Sequence, residues 1–341
     1  MIPVFKEIDL ERLRSFLKTK RKIVVTTHHR PDGDAMGSSL ALGLFLEHSG
    51  HEVSVVTPSD YPDFLNWLPG QHLVLSFDKD SHACIENVTN AEGIFCLDFN
   101  TPGRVEKLAP ALIDSKAFKI LVDHHLDPSD FCDITFSFPE SCATSELIYH
   151  LITNLGTQEQ LTSSMGSCLY TGIMTDTGSF RFSSMTADTH RIIASLIESG
   201  VTNHEVHENI YDNFSIDRTR FLGYCINEKL HFLPEYKAAY IAISNRELEQ
   251  FNHLPGDTEG IVNFALGIKG VRLAAFFCER DGMVKISFRS KGDFSVKEMA
   301  SMHFFGGGHA NASGGKSTDG LQMAVQKFLD ILPSYADRLN A

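Results

Sequence analysis

Within seven residues, His28-His29-Arg30-Pro31-Asp32-Gly33-Asp34 sets an imidazole beside two carboxylates spaced two apart. Histidine nitrogen and carboxylate oxygen together make a ligand set for a divalent ion. The stretch is preceded by Ile23-Val24-Val25, an apolar run that reads as a buried strand. It is followed by Met36 to Leu46, whose apolar spacing reads as a helix. Ligands of open α/β sheets sit beyond the carboxyl ends of strands, so a His and two Asp on a strand-to-helix loop read first as part of a metal site.

The same arrangement recurs downstream. Gly93 to Leu97 is an apolar run that ends at Asp98, and Phe118 to Val122 ends at Asp123-His124-His125. Asp176 closes a helical pattern. Each residue has an ordinary structural explanation: Asp34 can cap the following helix, and Asp98 can open an Asx-turn. His29 and His51 carry nothing that singles them out. The recurrence is what carries weight, because bare carboxylates and paired His at buried strand ends need something to neutralise them. The chemistry that uses such a set is two-metal hydrolysis, in which paired ions activate a water and offset phosphoryl charge. Nucleophilic serine or cysteine catalysis lacks comparable support: Gly-x-Ser-x-Gly is absent and no Cys adjoins the strand-end His residues.

The elements that must position these groups follow a strand–helix–strand order with short connections, which signals a parallel sheet. A helix is expected over 8–20, a strand over 51–57, and helices over 142–155, 158–174 and 186–200. Residues 201–228 read as a helical connector. Beyond 236 the texture changes to strands at 238–243, 271–277 and 284–288, the last two joined by an Asp281-Gly282 turn. A short helix at 295–303, a glycine cluster at 306–308 and a helix at 319–332 complete this second unit.

The chain of 341 residues, 43% hydrophobic, is long enough for two domains. Its net charge of −13 argues against a broad basic surface for long nucleic acid, though not against phosphate chemistry at a local metal site. Seven scattered Cys without CxxC spacing argue against a disulfide framework or a zinc cage and fit reduced thiols in a cytoplasm. The absence of a long apolar run and of a basic-then-apolar N-terminus predicts neither a membrane span nor a secretory signal.

Four blocks, H-H-R-P-D-G-D (28–34), C-L-D (96–98), V-D-H-H (122–125) and T-G-I-M-T-D-T-G (171–178), resemble the DHH phosphoesterases. The tail, F-R-S-K-G (288–292) with G-G-G-H-A-N-A-S-G-G (306–315), resembles their DHHA1 domain, and the resemblance is closest to the bacterial nano-RNase (oligoribonuclease)/pAp phosphatase type. It implies an α/β fold: an N-terminal parallel-sheet DHH domain over 1–190, a connector over 191–228, and a smaller α/β DHHA1 domain over 229–341, with the active site in the cleft between them. It implies that His28, Asp32 and Asp98 ligate one ion and that Asp34, Asp98, His124 and Asp176 ligate the other. Mn²⁺ is expected, with Mg²⁺ as the alternative. Asp123 is then an orienting group and His125 a contact to the scissile phosphate. Arg289, Ser290, Gly306, Gly307, Gly308 and His309 would bind substrate, with Arg104 a weaker candidate.

The implied activity is hydrolysis of short single-stranded RNA or DNA oligonucleotides, dinucleotides such as pApA or pGpG, and pAp. It would take place in the cytoplasm, without long nucleic acid or membrane as a partner, and a homodimer is compatible with it. An inorganic pyrophosphatase or exopolyphosphatase is the competing enzyme reading, and a nucleotide-sensing module the non-enzyme one. The filled ligand positions argue against the sensor.

Overall fold

A computed structural model describes residues 4–156, 161–280 and 282–340. They form two compact units that divide between Asn213 and Phe214. The first contains strands β1 (Lys22–Thr26), β2 (Glu52–Thr57), β3 (Val74–Ser76), β4 (Gly93–Leu97), β5 (Phe118–Asp123) and β6 (Ile134–Ser137). Its helices are α1 (Glu7–Leu17), α2 (Gly33–His48), α3 (Ser81–Asn90), α4 (Ala109–Asp114), α5 (Thr144–Leu155), α6 (Ser163–Asp176), α7 (Ala187–Glu198) and α8 (Asn203–Tyr211).

The six strands pair in parallel in the order β3-β2-β1-β4-β5-β6. Val25 faces Val55 on one side and Phe95 on the other. Every residue of β4 is buried, as a strand covered on both faces should be. Alternate side chains divide between the faces: Ile23, Val25, Phe95 and Leu97 join the core with α2, α5 and α6, whereas Val24, Ile94, Cys96 and Leu121 join the core with α3 and α4. The strand order reverses between β1 and β4. That places the loops after β1, β4 and β5 side by side at one edge of the sheet, the position where doubly wound folds bind ligands.

The second unit carries α9 (Ile216–Glu228), β7 (Leu230–Leu233), β8 (Ala238–Ile243), α10 (Asn245–Gln250), α11 (Ile261–Leu266), β9 (Leu273–Arg280), β10 (Met283–Ser290), α12 (Val296–His303), β11 (Gly307–Gly308), β12 (Ala312–Ser317) and α13 (Leu321–Asn340). Its sheet, ordered β11-β12-β10-β9-β8-β7, is antiparallel except for the β8–β9 pair. β9 and β10 form the expected hairpin; of its Asp281-Gly282 turn, Asp281 lies outside the described residues, as do the first residues of the helix expected from 158. The residues read as a helical connector resolve by their apolar faces. Ile192, Leu196, Val206 and Ile210 of α7 and α8 belong to the first core, and Phe221 and Cys225 of α9 to the second.

The last helix runs past the expected stop at 332, carrying Pro333 inside it. A proline there forfeits one backbone hydrogen bond. The apolar period nevertheless continues through Phe328, Leu332, Tyr335 and Leu339, all buried, and that burial outweighs the lost bond.

Helices α2 and α6 touch backbone to backbone. A Cβ at Gly37 would strike the Cys168 carbonyl and lie 3.0 Å from the Gly172 nitrogen. Gly37→Ala should therefore destabilise the first unit by about 2 kcal/mol and lower its melting temperature by several degrees. Differential scanning calorimetry reads this directly, and an unchanged transition would show that the helices do not meet this closely.

Candidate metal centre

Six short segments converge on one site. The loop after β1 carries His28, the start of α2 carries Asp32 and Asp34, and the ends of β4 and β5 carry Asp98 and Asp123 to His125. The end of α6 carries Asp176, and the start of α5 brings backbone amides. His28, Asp32 and Asp98 form one group able to hold an ion; Asp34, His124 and Asp176 form a second; Asp98, Asp123 and His125 form a third. Seven of the eight residues proposed from the sequence as ligands or orienting groups appear here around Asp98, which completes the set.

Asp98 sits between the groups. Its Oδ2 is 3.4 Å from His28 Nε2, and its Oδ1 is 3.5 Å from His124 Nε2. His28 Nε2 lies 3.8 Å from Asp32 Oδ2, and His124 Nε2 lies 3.6 Å from Asp176 Oδ2 and 4.0 Å from Asp34 Oδ2. Most of these separations are long for hydrogen bonds. They lie within the roughly 3–4.2 Å that two ligand atoms can span when each is about 2.1 Å from one ion.

The imidazoles are held in one tautomer. His124 Nδ1 donates to the Ser141 carbonyl at 3.2 Å and His28 Nδ1 to the His29 carbonyl at 3.0 Å, which leaves Nε2 of each ring facing the carboxylates and available to an ion. His125 Nδ1 donates to Asp123 Oδ1 at 2.7 Å. Asp123 Oδ2 is buried with no hydrogen-bond partner, an orphaned carboxylate oxygen beside the cluster.

The two Asp of the opening loop are not equivalent. Asp32 Oδ1 accepts from the backbone of Asp34 and Ala35, both at 3.0 Å, and caps α2. The ordinary capping role considered for Asp34 thus falls to Asp32 in this helix. Asp34 instead caps α5 from outside: the N-cap position there is Ala143, which has no side-chain acceptor. Asp34 Oδ2 accepts from Thr144 N at 2.7 Å and Oδ1 from Ser145 N at 2.8 Å. Thr144 Oγ1 donates to Asp98 Oδ1 at 2.9 Å. The positive end of α5 thereby faces the carboxylate pair.

Several participants were missed in the sequence. Thr144 and Ser145 lie within Ser141-Cys142-Ala143-Thr144-Ser145-Glu146, where an alanine at a helix start already signals a cap supplied from elsewhere. Gly172 lies inside a motif block with no assigned role, yet a Cβ there would collide with Ser145 Oγ and come 2.8 Å from Asp34 Oδ1. His29 and His51 have structural partners: Glu106 lies 3.4 Å from His29 Nδ1, and Arg21 N donates to His51 Nδ1 at 3.2 Å.

Burial and charge act against each other in the cluster. Asp34, Asp98, Asp123, His28 and His124 are buried, whereas Asp32 and Asp176 reach solvent. Burial disfavours a charged imidazole, but the hydrogen bond to Asp98 and the charges of Asp32 and Asp98 raise His28 to about 9. Burial likewise opposes the charge on His124, and Asp176, Asp98 and Asp34 together raise it to about 9. Asp98 is held below the usual carboxylate range by its imidazoles in spite of burial. Burial and neighbouring carboxylates push Asp34 up, and burial takes Asp176 to about 6. Without an ion, the site balances its carboxylates with protons. An imidazole, carboxylate and orphaned-oxygen set of this kind fits divalent cations.

In the second unit, Arg289 pairs with Ala312, and Gly307 and Gly308 pair with Gly314 and Ser313, so β10, β12 and β11 gather the arginine and the glycine loop on one sheet. A side chain at Gly306 would strike the Gly314 carbonyl. Ser290 Oγ donates to the Phe294 carbonyl at 2.6 Å and accepts from Asn311 Nδ2 at 2.9 Å. Ser313 Oγ donates to the His309 carbonyl at 2.7 Å.

Comparison with known proteins agrees with the geometry. The model of the DHH family, N-terminal domain, matches residues 22–173, and that of the DHHA1 domain matches 236–337. The bifunctional oligoribonuclease and PAP phosphatase NrnA of Thermus thermophilus is 29% identical over 320 residues, 94% of this chain and 88% of the relative. Its Bacillus subtilis counterpart is 27% identical over 294 residues, 86% of this chain and 88% of the relative. The crystal structure of an exopolyphosphatase-related protein from Bacteroides fragilis superposes over 100% of both chains at a TM-score of 0.94 and 36% identity. The chain belongs to the DHH family, with a DHHA1 domain, and is a phosphoesterase of that divalent-metal-dependent family. Among the described residues no helix is long and apolar enough to cross a membrane.

At pH 7.5 His28 and His124, both raised to about 9, carry protons that a metal ion must displace. Loading the metal-free protein with Mn²⁺ should therefore release about two protons, and release should fall toward zero as pH rises through 9, while affinity increases over the same range. Titration calorimetry in buffers of different ionisation enthalpy measures the release; binding without proton release would place the ion elsewhere.

Proposed function

We propose that this phosphoesterase hydrolyses very short oligonucleotides, dinucleotides such as pApA or pGpG, and pAp, and that it does so in the cytoplasm. The observation that carries the reading is the pair of ligand groups joined by the Asp98 carboxylate, combined with a chain-long likeness to proteins named oligoribonuclease and PAP phosphatase. In this reading His28, Asp32 and Asp98 hold one divalent ion, and Asp34, Asp98, His124 and Asp176 hold the other. Mixed nitrogen and oxygen ligands favour Mn²⁺, with Mg²⁺ as the alternative. When bound, such a pair supplies an activated water near neutral pH and positive charge for phosphoryl oxygens.

The chain's own residues do the rest. Asp123 accepts the Nδ1 proton of His125 and so fixes the orientation of the ring that would contact the scissile phosphate. Asp34 and Asp98, tied to the start of α5, hold their oxygens in fixed directions. In the DHHA1 unit Arg289 offers a paired-donor contact to a substrate phosphate, and Gly306 to Gly308 with His309 let backbone amides approach it. Ser290 shapes that surface through its internal hydrogen bonds.

A second reading, hydrolysis of inorganic polyphosphate, draws on the exopolyphosphatase-related name of the Bacteroides fragilis structure. One comparison separates the two: purified protein with Mn²⁺ is offered a dinucleotide, pAp, a 24-mer RNA, pyrophosphate and polyphosphate. Rapid turnover of the dinucleotide and pAp with slow attack on the 24-mer is expected, and fast inorganic turnover without dinucleotide cleavage overturns the assignment. Asp98→Ala should remove every activity, at least 10³-fold. Arg289→Ala should raise KM for the dinucleotide about tenfold or more with a smaller change in kcat, and an unaltered KM would remove Arg289 from substrate binding.

A further inference from the structure

Glu146 is a buried carboxylate that touches none of the ligand atoms and has no place in the chemistry just described. It occupies the third position of α5 and turns back over the helix start. Its Oε2 accepts from Ser141 Oγ at 2.5 Å and from Cys142 N at 3.0 Å. Its Oε1 accepts from Thr189 Oγ1 of α7 at 2.7 Å. Both oxygens are thus satisfied, by three donors from two segments, as a buried carboxylate requires.

The segment it clamps, 141–145, holds the metal ligands. The Ser141 carbonyl accepts His124 Nδ1, Thr144 and Ser145 amides hold both oxygens of Asp34, and Thr144 Oγ1 holds Asp98. The α5 start has no N-cap side chain of its own, since Ala143 occupies that place. Two carboxylates therefore fix it from opposite sides: Asp34 grips the first helical amides, and Glu146 grips the turn that precedes them.

We infer that Glu146 is a positioning residue that sets metal affinity: by clamping the Ser141–Ser145 turn against α7 it fixes the His124 ring and the Asp34 and Asp98 carboxylates. This rests on the metal-centre reading given above. Groups that orient metal ligands from behind are worth about 10- to 100-fold in metal affinity. Glu146→Gln keeps the size of the side chain but removes its charge and replaces one acceptor oxygen with an NH₂ donor, so the three contacts survive only if a hydroxyl reverses its direction.

The test uses the full-length protein freed of metal and titrated with MnCl₂ in a calorimeter. Glu146→Gln should weaken Mn²⁺ binding 10- to 100-fold and raise the half-saturating Mn²⁺ for dinucleotide cleavage in parallel, with the lost activity recovered at high Mn²⁺. Nitrogen-15 NMR of the metal-free protein at pH 10 gives a readout independent of any ion: His124 should hold its proton at Nδ1 in the unaltered protein and show both tautomers in the variant. Ser141→Ala and Thr189→Val, which remove single bonds to the same carboxylate, should shift Mn²⁺ affinity in the same direction and stand in if Glu146→Gln does not fold. Unchanged Mn²⁺ affinity in a folded Glu146→Gln variant overturns the inference, as does an activity loss that Mn²⁺ does not restore. Failure of the unaltered protein to bind Mn²⁺ would instead sink the metal-centre reading.

Discussion

Asp98 faces two imidazoles with its two oxygens, His28 on one side and His124 on the other, while buried at the end of β4. It does so from a left-handed backbone, φ 64°, which costs an ordinary residue of order 1 kcal/mol or more and is found where function fixes the conformation. Asp98 N still donates to the Val122 carbonyl at 3.2 Å, so the strand pairing continues up to the residue that breaks away. The remainder of the first unit serves this placement. Reversal of strand order between β1 and β4 brings His28 alongside, the β4–β5 pairing brings His124, and α5 brings a hydroxyl to the same carboxylate.

The second constraint is charge. Five carboxylates and three imidazoles share the site, and several of them have little access to water. Buried carboxylates without compensation are among the most costly features a fold can carry. In the absence of ions His28 and His124 hold protons and Asp34 and Asp176 become reluctant acids, while the start of α5 adds the positive end of a helix. Divalent ions are a better match, because they replace several protons with fixed charge. This also reconciles an acidic chain with a phosphate substrate: the positive potential is local and is supplied by what the carboxylates bind.

Much of this was legible in the sequence because the candidate ligands sit at the ends of apolar runs, and such runs are strong signals for buried elements. His28, Asp32, Asp34, Asp98, Asp123, His124, His125 and Asp176 could all be named that way, and the structure brings them together. What could not be read was support that depends on tertiary contact. Asp34 was expected, as one reading, to cap its own helix; it caps a helix 110 residues away, and Asp32 takes the local role. Glu146 resembles any glutamate in the first turn of a helix until Ser141 and Thr189 are seen against it. Gly172 gives no sign that the Asp34 carboxylate fills the space of its missing side chain. The last helix was expected to end at 332, yet the buried stripe on either side of Pro333 carries it on to Asn340.

Asp98 is placed for one carboxylate to join two ions. Anomalous diffraction from crystals of the protein loaded with Mn²⁺ tests it most directly. Two anomalous peaks about 3.5–4 Å apart are expected, one in contact with each oxygen of Asp98, with His28 and Asp32 on one peak and Asp34, His124 and Asp176 on the other. A single peak, or two peaks that do not share Asp98, would contradict it.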